Sequence, residues 1–253
     1  MIRIKNERQI DGIRRSCKAL ARLYRDLVPL VRAGVTTADL DAFCVEFIKK
    51  EGGKPAWYAE GFPGAACISV NEEVIHGIPS PKRVLKEGDL VSLDIGIDLD
   101  GYISDSAVTV PVGEVGKRER ALIETTERCL AAGIEACRAG NRISAISRAV
   151  WDIASGAGYG VVYEYCGHGV GLSVHEDPQV PNVPERGPNP RIVPGMVLAI
   201  EPMINLGVPD VDLLEDGWTV VTADRKVSCH AEHTVAVFAD HTEVLTRLGP
   251  DEA

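Results

Sequence analysis

The spacing of apolar residues changes period several times along the chain, and each change marks an element. Over 7–31 and 117–137 apolar residues recur at helical intervals, and the shorter stretches 32–52 and 138–158 repeat the pattern. Thr36 followed by Asp39 is a capping box that opens the first of these short helices. The segments 85–94, 104–112, 192–201 and 231–239 read as strands. "DLVSLDIGIDLDGYISDSAVTV" (89–110) alternates through a two-residue turn at Asp100-Gly101, which predicts a hairpin. Opposed residues then sum to 201, so 96 faces 105 and 94 faces 107. On that register Asp94 and Asp105 share one face as diagonal neighbours, where apolar residues are expected.

The pattern repeats. Laid on one another at an offset of 106, 32–52 and 138–158 match Arg-Ala-Gly with Arg-Ala-Gly and Gly52 with Gly158. Leu40, Cys44 and Phe47 fall on Ile146, Val150 and Ile153. The strands follow: Asp94 aligns with Glu201, and Asp105 with Glu232 once an insertion is allowed between 205 and 225. Four acids in corresponding places predict two α/β halves, about 1–112 and 113–253, related by a pseudo-twofold axis. They are expected to form one domain, 1–253, since neither half has a linker or a core of its own.

Composition narrows the class. With 253 residues, 45% hydrophobic and 25% charged, the chain is long enough for a sizeable core. A net charge of −10 argues against binding nucleic acid or an anionic membrane, both of which need clustered cations. No apolar run is long enough to span a bilayer, and "MIRIKNERQI" has no signal-peptide pattern. Seven scattered cysteines without a C-x-x-C pair predict free thiols in a reducing cytoplasm.

Paired carboxylates repel unless protonated, paired with cations or bridged by metal, and their recurrence in both halves favours metal. Two divalent ions would balance Asp94, Asp105, Glu201 and Glu232. An imidazole among such oxygens points to Mn²⁺, Fe²⁺, Co²⁺ or Zn²⁺. "EYCGHGVGLSVHEDP" (164–178) supplies His168 and His175, with glycines at 167, 169 and 171 that let backbone approach closely.

These residues lie in segments that together resemble the type I methionine aminopeptidases: "CISVNEEVIHGIP" (67–79), "DIGIDLDGYISDSA" (94–107), "EYCGHGVGLSVHEDPQV" (164–180), "PGMVLAIEPM" (194–203), "DGWTV" (216–220) and "AEHT" (231–234). The resemblance spans about 5–248. It implies the pita-bread α/β fold of the creatinase/aminopeptidase class, with central antiparallel strands flanked by helices. It implies a two-metal centre held by Asp94, Asp105, His168, Glu201 and Glu232, with Asp94 bidentate on one ion and Asp105 and Glu232 bridging. The implied reaction removes N-terminal methionine from peptides and nascent chains, with a small second residue preferred. In it Glu201 carries the proton to the leaving amine, His175 bonds the oxyanion, and His76 contacts the scissile peptide. Phe62, Cys67 and Trp218 stand at the pocket positions for the methionine side chain. A monomer is expected, with any ribosome contact made by the catalytic domain itself.

Some residues depart from the resemblance. "AWYAEGFP" (56–63) is a residue short, so Tyr58 swings into the pocket or Ala59 leaves space there, and Val174 replaces a usual Phe, which predicts a looser wall. His230 stands where Gln is common and is read as solvated or as a neighbour behind the ligands. The proline-dense 177–195 is read as a rigid loop beside the cleft. Two alternatives compete: an Xaa-Pro peptidase with the same ligand types, and a non-catalytic binding protein on the same scaffold. The intact ligands with His76 and His175 weigh against the second.

Overall fold

The computed structural model describes residues 1–184 and 187–249; Glu185 and Arg186 of the proline-dense segment lie outside the described residues. The helices form where the periodicity places them: α1 (Glu7–Leu27), α2 (Thr37–Lys50), α3 (Lys117–Ala136) and α4 (Ile143–Gly156). Helix α1 stops earlier than the pattern suggested and passes into a 3₁₀ turn, Val28–Leu30, because Pro29 has no N–H to continue the α-helical ladder. The capping box of α2 forms as predicted, Thr36 accepting from the Asp39 N–H and Asp39 from the Thr36 N–H. Its counterpart α4 has Arg142 at the N-cap, which caps nothing itself; the Ser144 N–H in the first turn donates instead to Asn189 Oδ1 at 3.0 Å.

The strands run in chain order as β1 (Lys54–Pro55), β2 (Ala66–Val70), β3 (Glu73–Ile75), β4 (Leu90–Leu99), β5 (Tyr102–Pro111), β6 (Gly160–Val161), β7 (Gly167–Gly169), β8 (Glu176–Val180), β9 (Val197–Ile200), β10 (Met203–Asn205), β11 (Val211–Leu213), β12 (Val220–Thr222), β13 (Ser228–His230), β14 (Glu232–Val237) and β15 (Thr242–Val244). Among the described residues a nine-stranded sheet has the order β1-β4-β5-β14-β9-β7-β8, with β2 paired to β4 and β15 to β14. Its middle, β4-β5 against β14-β9, shows the two halves meeting strand to strand. Smaller sheets, β13-β10-β6 and β11-β12-β3, hold the insertion of the second half.

The hairpin has the predicted register, Asp94↔Ala107 and Gly96↔Asp105. Asp100 and Gly101 both have positive φ, 56° and 81°, which a tight turn between right-twisted strands requires. Alternation then separates two faces. On one, Leu93, Ile95 and Ile97 pack with Leu20, Leu23 and Leu27 of α1 and Leu40 and Ile48 of α2. On the same side of the second half, Leu198, Ile200, Val235 and Val237 pack with Leu130 of α3 and Ile143 and Ile146 of α4. Each fully buried leucine or isoleucine contributes about 1.5–3 kcal/mol, so helix cover fixes which face of every strand turns inward. The opposite set of alternating positions carries the acids.

Candidate metal centre

Register brings the acids into rows. Asp94 lies opposite Ala107, and Ala107 opposite Glu232 on β14. Because His233 pairs with Ile200, Glu201 continues that row one residue past the end of β9. One step along, Asp105 faces Gly96, and Thr234 pairs with Ala199, which itself pairs with His168. Asp105 N–H donates to Thr234 Oγ1 at 3.2 Å and the Thr234 hydroxyl donates to the Asp105 carbonyl at 2.7 Å, which locks the two halves at this point. His168 enters the row because strand β7 is built of glycines. A Cβ at Gly167 would stand 2.4 Å from the Ala199 carbonyl oxygen, and one at Gly169 2.3 Å from that of Asp177.

The predicted ligands therefore converge. His168 Nε2 stands 3.4 Å from Glu201 Oε1 and 3.6 Å from Asp105 Oδ2. Donor atoms of Asp105, His168 and Glu232 lie within 4.8 Å of one another. The His168 Nδ1 is 2.9 Å from the Gly169 carbonyl, which can only accept, so the proton sits on Nδ1 and the Nε2 lone pair faces the acids. Asp94, Asp105 and Glu232 are buried, and Asp94 Oδ1, Asp105 Oδ1 and Glu232 Oε1 have no hydrogen-bond partner among the described residues. The remaining atoms of that kind are the two ring nitrogens of His230, so every such orphan belongs to this one site. Burying carboxylate oxygens without partners is costly, and a divalent cation satisfies both their charge and their lone pairs. The donor set, oxygens with one imidazole nitrogen, fits such a cation.

Electrostatics separate the acids. Burial pushes the Asp94 carboxyl up to about 7 in the metal-free protein, with repulsion from Glu201 adding to it. Burial, and then repulsion from the neighbouring acids, raises Asp105 and Glu232 well above the carboxylate range. Glu201 goes the other way: burial would raise it, but the His230 side chain and the imidazoles of His168 and His175 outweigh that and leave it lowered.

Above this floor lies a cavity of about 130 Å³. Phe62, Cys67, Trp218 and His76 line it as expected, and so do Trp57, Ile75 and Glu60, which the sequence had not singled out. Phe62 meets Trp218 edge-on at 5.3 Å, so Trp218 is a wall of the cavity and not a free loop residue. Trp57 is fixed by its indole N–H, which donates to the Asp94 carbonyl at 3.2 Å. His76 has a φ of 57°, uncommon for a side-chain-bearing residue, and its ring stands 6.3 Å from that of Trp218. Burial lowers its pKa to about 4, so the ring is neutral near pH 7. His175 sits at the mouth with its ring 4.5 Å from that of His168 and its Nδ1 3.6 Å from Glu60 Oε2. Burial first, then the nearby Asp94 and Asp105, raises the Cys67 thiol well above its ordinary range, so it packs as a neutral group.

The structure decides between the alternatives at Tyr58 and at His230. Tyr58 does not swing in: it is half exposed and lines a different surface cleft, with Ala59, because the shortened loop coils as a 3₁₀ turn, Ala56–Glu60, that points Trp57 inward instead. Val174 is buried in the apolar cluster that also holds Phe62, Cys67 and Trp57. Of the two readings of His230, the neighbour behind the ligands fits and the solvated one does not: it is 1% exposed, with Nε2 3.6 Å from Glu201 Oε2. The proline-dense segment begins with strand β8 and touches the site through Asn182, whose amide donates to the Glu201 carbonyl at 2.9 Å. The buried cysteines Cys17, Cys44, Cys67, Cys129, Cys137 and Cys229 are free thiols, and no helix among the described residues is long and apolar enough to cross a membrane.

Comparisons with known proteins agree with this geometry. The family model for metallopeptidase family M24 matches residues 11–239. A methionine aminopeptidase of Treponema pallidum is 66% identical over 97% of this chain and 96% of its own. A crystal structure of methionine aminopeptidase from Thermotoga maritima superposes with a TM-score of 0.95 at 39% identity, covering 98% of this chain and all of the other. The prolidase from Pyrococcus furiosus shares the fold alone, at 24% identity and a TM-score of 0.80, over 66% of its length. The chain thus has the pita-bread fold, and it belongs to metallopeptidase family M24 and, within it, to the methionine aminopeptidases.

Proposed function

We propose that the chain releases methionine from the N-terminus of peptides and nascent chains, with Asp94, Asp105, His168, Glu201 and Glu232 holding two divalent ions. The observation that carries this reading is the set of buried, unpartnered carboxylate oxygens on the floor of an aromatic-walled cavity. When bound, such ions supply Lewis-acid activation of water and of the scissile carbonyl.

The chain's own residues do the rest. Glu201, held ionised by the imidazoles around it, accepts a proton and passes it to the leaving amine. His175, at the cavity mouth, donates a hydrogen bond to the oxygen that gains charge, where such a donor is worth about 10²–10³ in rate. His76, neutral near pH 7, has a ring N–H to donate to the scissile peptide. Phe62, Trp218, Trp57, Ile75 and Cys67 enclose an apolar side chain and exclude water. A single sheet runs through both halves, which supports reading 1–253 as one catalytic domain. A preference for a small second residue, Mn²⁺, Fe²⁺, Co²⁺ or Zn²⁺ as the ion, action as a cytoplasmic monomer and contact with the ribosome complete the reading.

The test is to strip the protein with chelator, restore each ion singly and offer Met-Ala-Ser, Leu-Ala-Ser and Ala-Pro-Ala. Metal-dependent release of methionine with little leucine is the expected result. Cleavage confined to the proline peptide would move the chain to the Xaa-Pro specificity, and no turnover with any ion would make it a binding protein.

A further inference from the structure

His230 is the one buried ring at the site to which the reading above gives no task, and the inference drawn from it rests on that reading. It ends β13, and its backbone is pinned: the N–H donates to Thr109 Oγ1 at 3.0 Å, and its carbonyl accepts from the same hydroxyl at 2.8 Å. The residue is 1% exposed, yet neither ring nitrogen has a hydrogen-bond partner among the described residues. Burying both nitrogens unpaired costs their hydration, so packing alone would be better served by an apolar side chain of similar size. What the ring does face is Glu201. Its Nε2 lies 3.6 Å from Oε2, while His168 Nε2 lies 3.4 Å from Oε1, so two imidazoles bracket one carboxylate.

We propose that His230 is a positioning residue of the metal centre, directing an Nε2–H at the outer oxygen of Glu201 so that the inner oxygen, beside His168, is the one offered to a divalent cation. A carboxylate free to rotate presents either oxygen or both. One restrained on its outer side presents a single oxygen in a fixed direction, and outer partners of this kind command about 10–100-fold in metal affinity. Asn182 restrains the backbone of the same residue through the Glu201 carbonyl, so side chain and main chain are both held.

The experiment uses the full chain with His230→Ala and His230→Gln, stripped of metal and titrated with Co²⁺ and Mn²⁺. Calorimetry reads affinity, visible absorption reads the Co²⁺ environment, and thermal unfolding of the metal-free forms reads packing. The expected result is affinity reduced about 10–100-fold in the alanine variant with an altered Co²⁺ spectrum, restoration to within a few-fold by glutamine, which offers an N–H, and no fall in the metal-free melting temperature. Wild-type affinity and spectrum in His230→Ala would overturn the proposal, as would a lowered metal-free melting temperature with no change in affinity. Loss of one whole cation equivalent that glutamine does not restore would make His230 a ligand and overturn the positioning role. Because the readout is cation binding, a wild type that binds metal yet releases no methionine would overturn the proposed activity and leave this result standing. A wild type that binds no cation would overturn both.

Discussion

Asp94 and Asp105 on the first half's hairpin, and Glu201 and Glu232 on the second half's strands, occupy corresponding points of one sheet in different surroundings. The first half joins its two strands by a two-residue turn and brings one histidine, His76, to the cavity above its acids. The second separates β9 from β14 by residues 201–231, and that insertion carries Trp218 and His230 to the site. Without metal, burial and the charge of Glu201 push Asp94 upward, and burial with the charges of Asp94 and Glu201 raises Asp105, whereas Glu201 lies among three imidazoles and is lowered. At Asp94 and Glu201 equivalent positions of the repeat therefore carry opposite proton affinities, while Asp105 and Glu232 are both raised. Backbone symmetry fixes where a carboxylate sits; its neighbours fix what it does.

The largest expected effect comes from removing one acid of each kind. Asp105→Asn and Glu201→Gln should each cut methionine release by more than about 100-fold, beyond what an outer partner commands. Their metal-free stabilities should diverge. Asp105→Asn relieves a buried repulsion and should raise the melting temperature at pH 8, whereas Glu201→Gln strips the histidines of their anion and should lower it. Equal shifts in thermal unfolding would erase the distinction drawn between the halves.

A smaller effect should come from the wall that only the insertion supplies. Trp218→Ala opens the cavity beside Phe62 and should reduce the preference for methionine over leucine about tenfold, chiefly through KM, with metal affinity unchanged. Peptide competition kinetics with calorimetry on the same samples would check both parts.

The proton affinities predict a pH dependence of metal binding. Asp94, at about 7 without metal, and the more strongly raised Asp105 and Glu232 bind protons that a cation must displace. Their raised values mean that the metal-free fold gains from these groups as pH falls and loses as pH rises through 7. The stabilisation conferred by added Mn²⁺ should therefore grow between pH 6 and pH 8, read as a widening gap between metal-loaded and metal-free melting temperatures. A constant gap would mean that the acids are already ionised in the metal-free protein.

The smallest expected effect tests the halves away from the site. Helix α2 has a full capping box and α4 has none, so Thr36→Ala should cost about 1 kcal/mol in denaturant unfolding with turnover unchanged. Asn189→Ala, which removes the oxygen that accepts the Ser144 N–H at the start of α4, should cost about 1 kcal/mol in the other half.

What was legible in the chain was whatever depends on near neighbours. The hairpin register followed from Asp100-Gly101 and strict alternation, and it put Asp94 and Asp105 on one face before any tertiary contact was known. The α2 cap followed from two residues three apart. The repeat revealed Glu201 and Glu232 because both halves solve the same problem, covering one sheet face with helices and leaving acids on the other. The site beyond those acids was not legible in that way. Tyr58 and Trp57 are adjacent aromatics, and nothing in their local pattern says which turns inward; the 3₁₀ coil of the shortened loop and the Asp94 carbonyl decided it. Glu60 meets His175 across 115 positions of chain, and His230 meets Glu201 only because β13 pairs with β10. Local spacing sets hydrogen-bond registers and strand faces, since those depend on backbone geometry a few residues long. Burial, and with it the charge state of each acid and histidine, is a property of everything packed around a group, and only the folded chain assembles that.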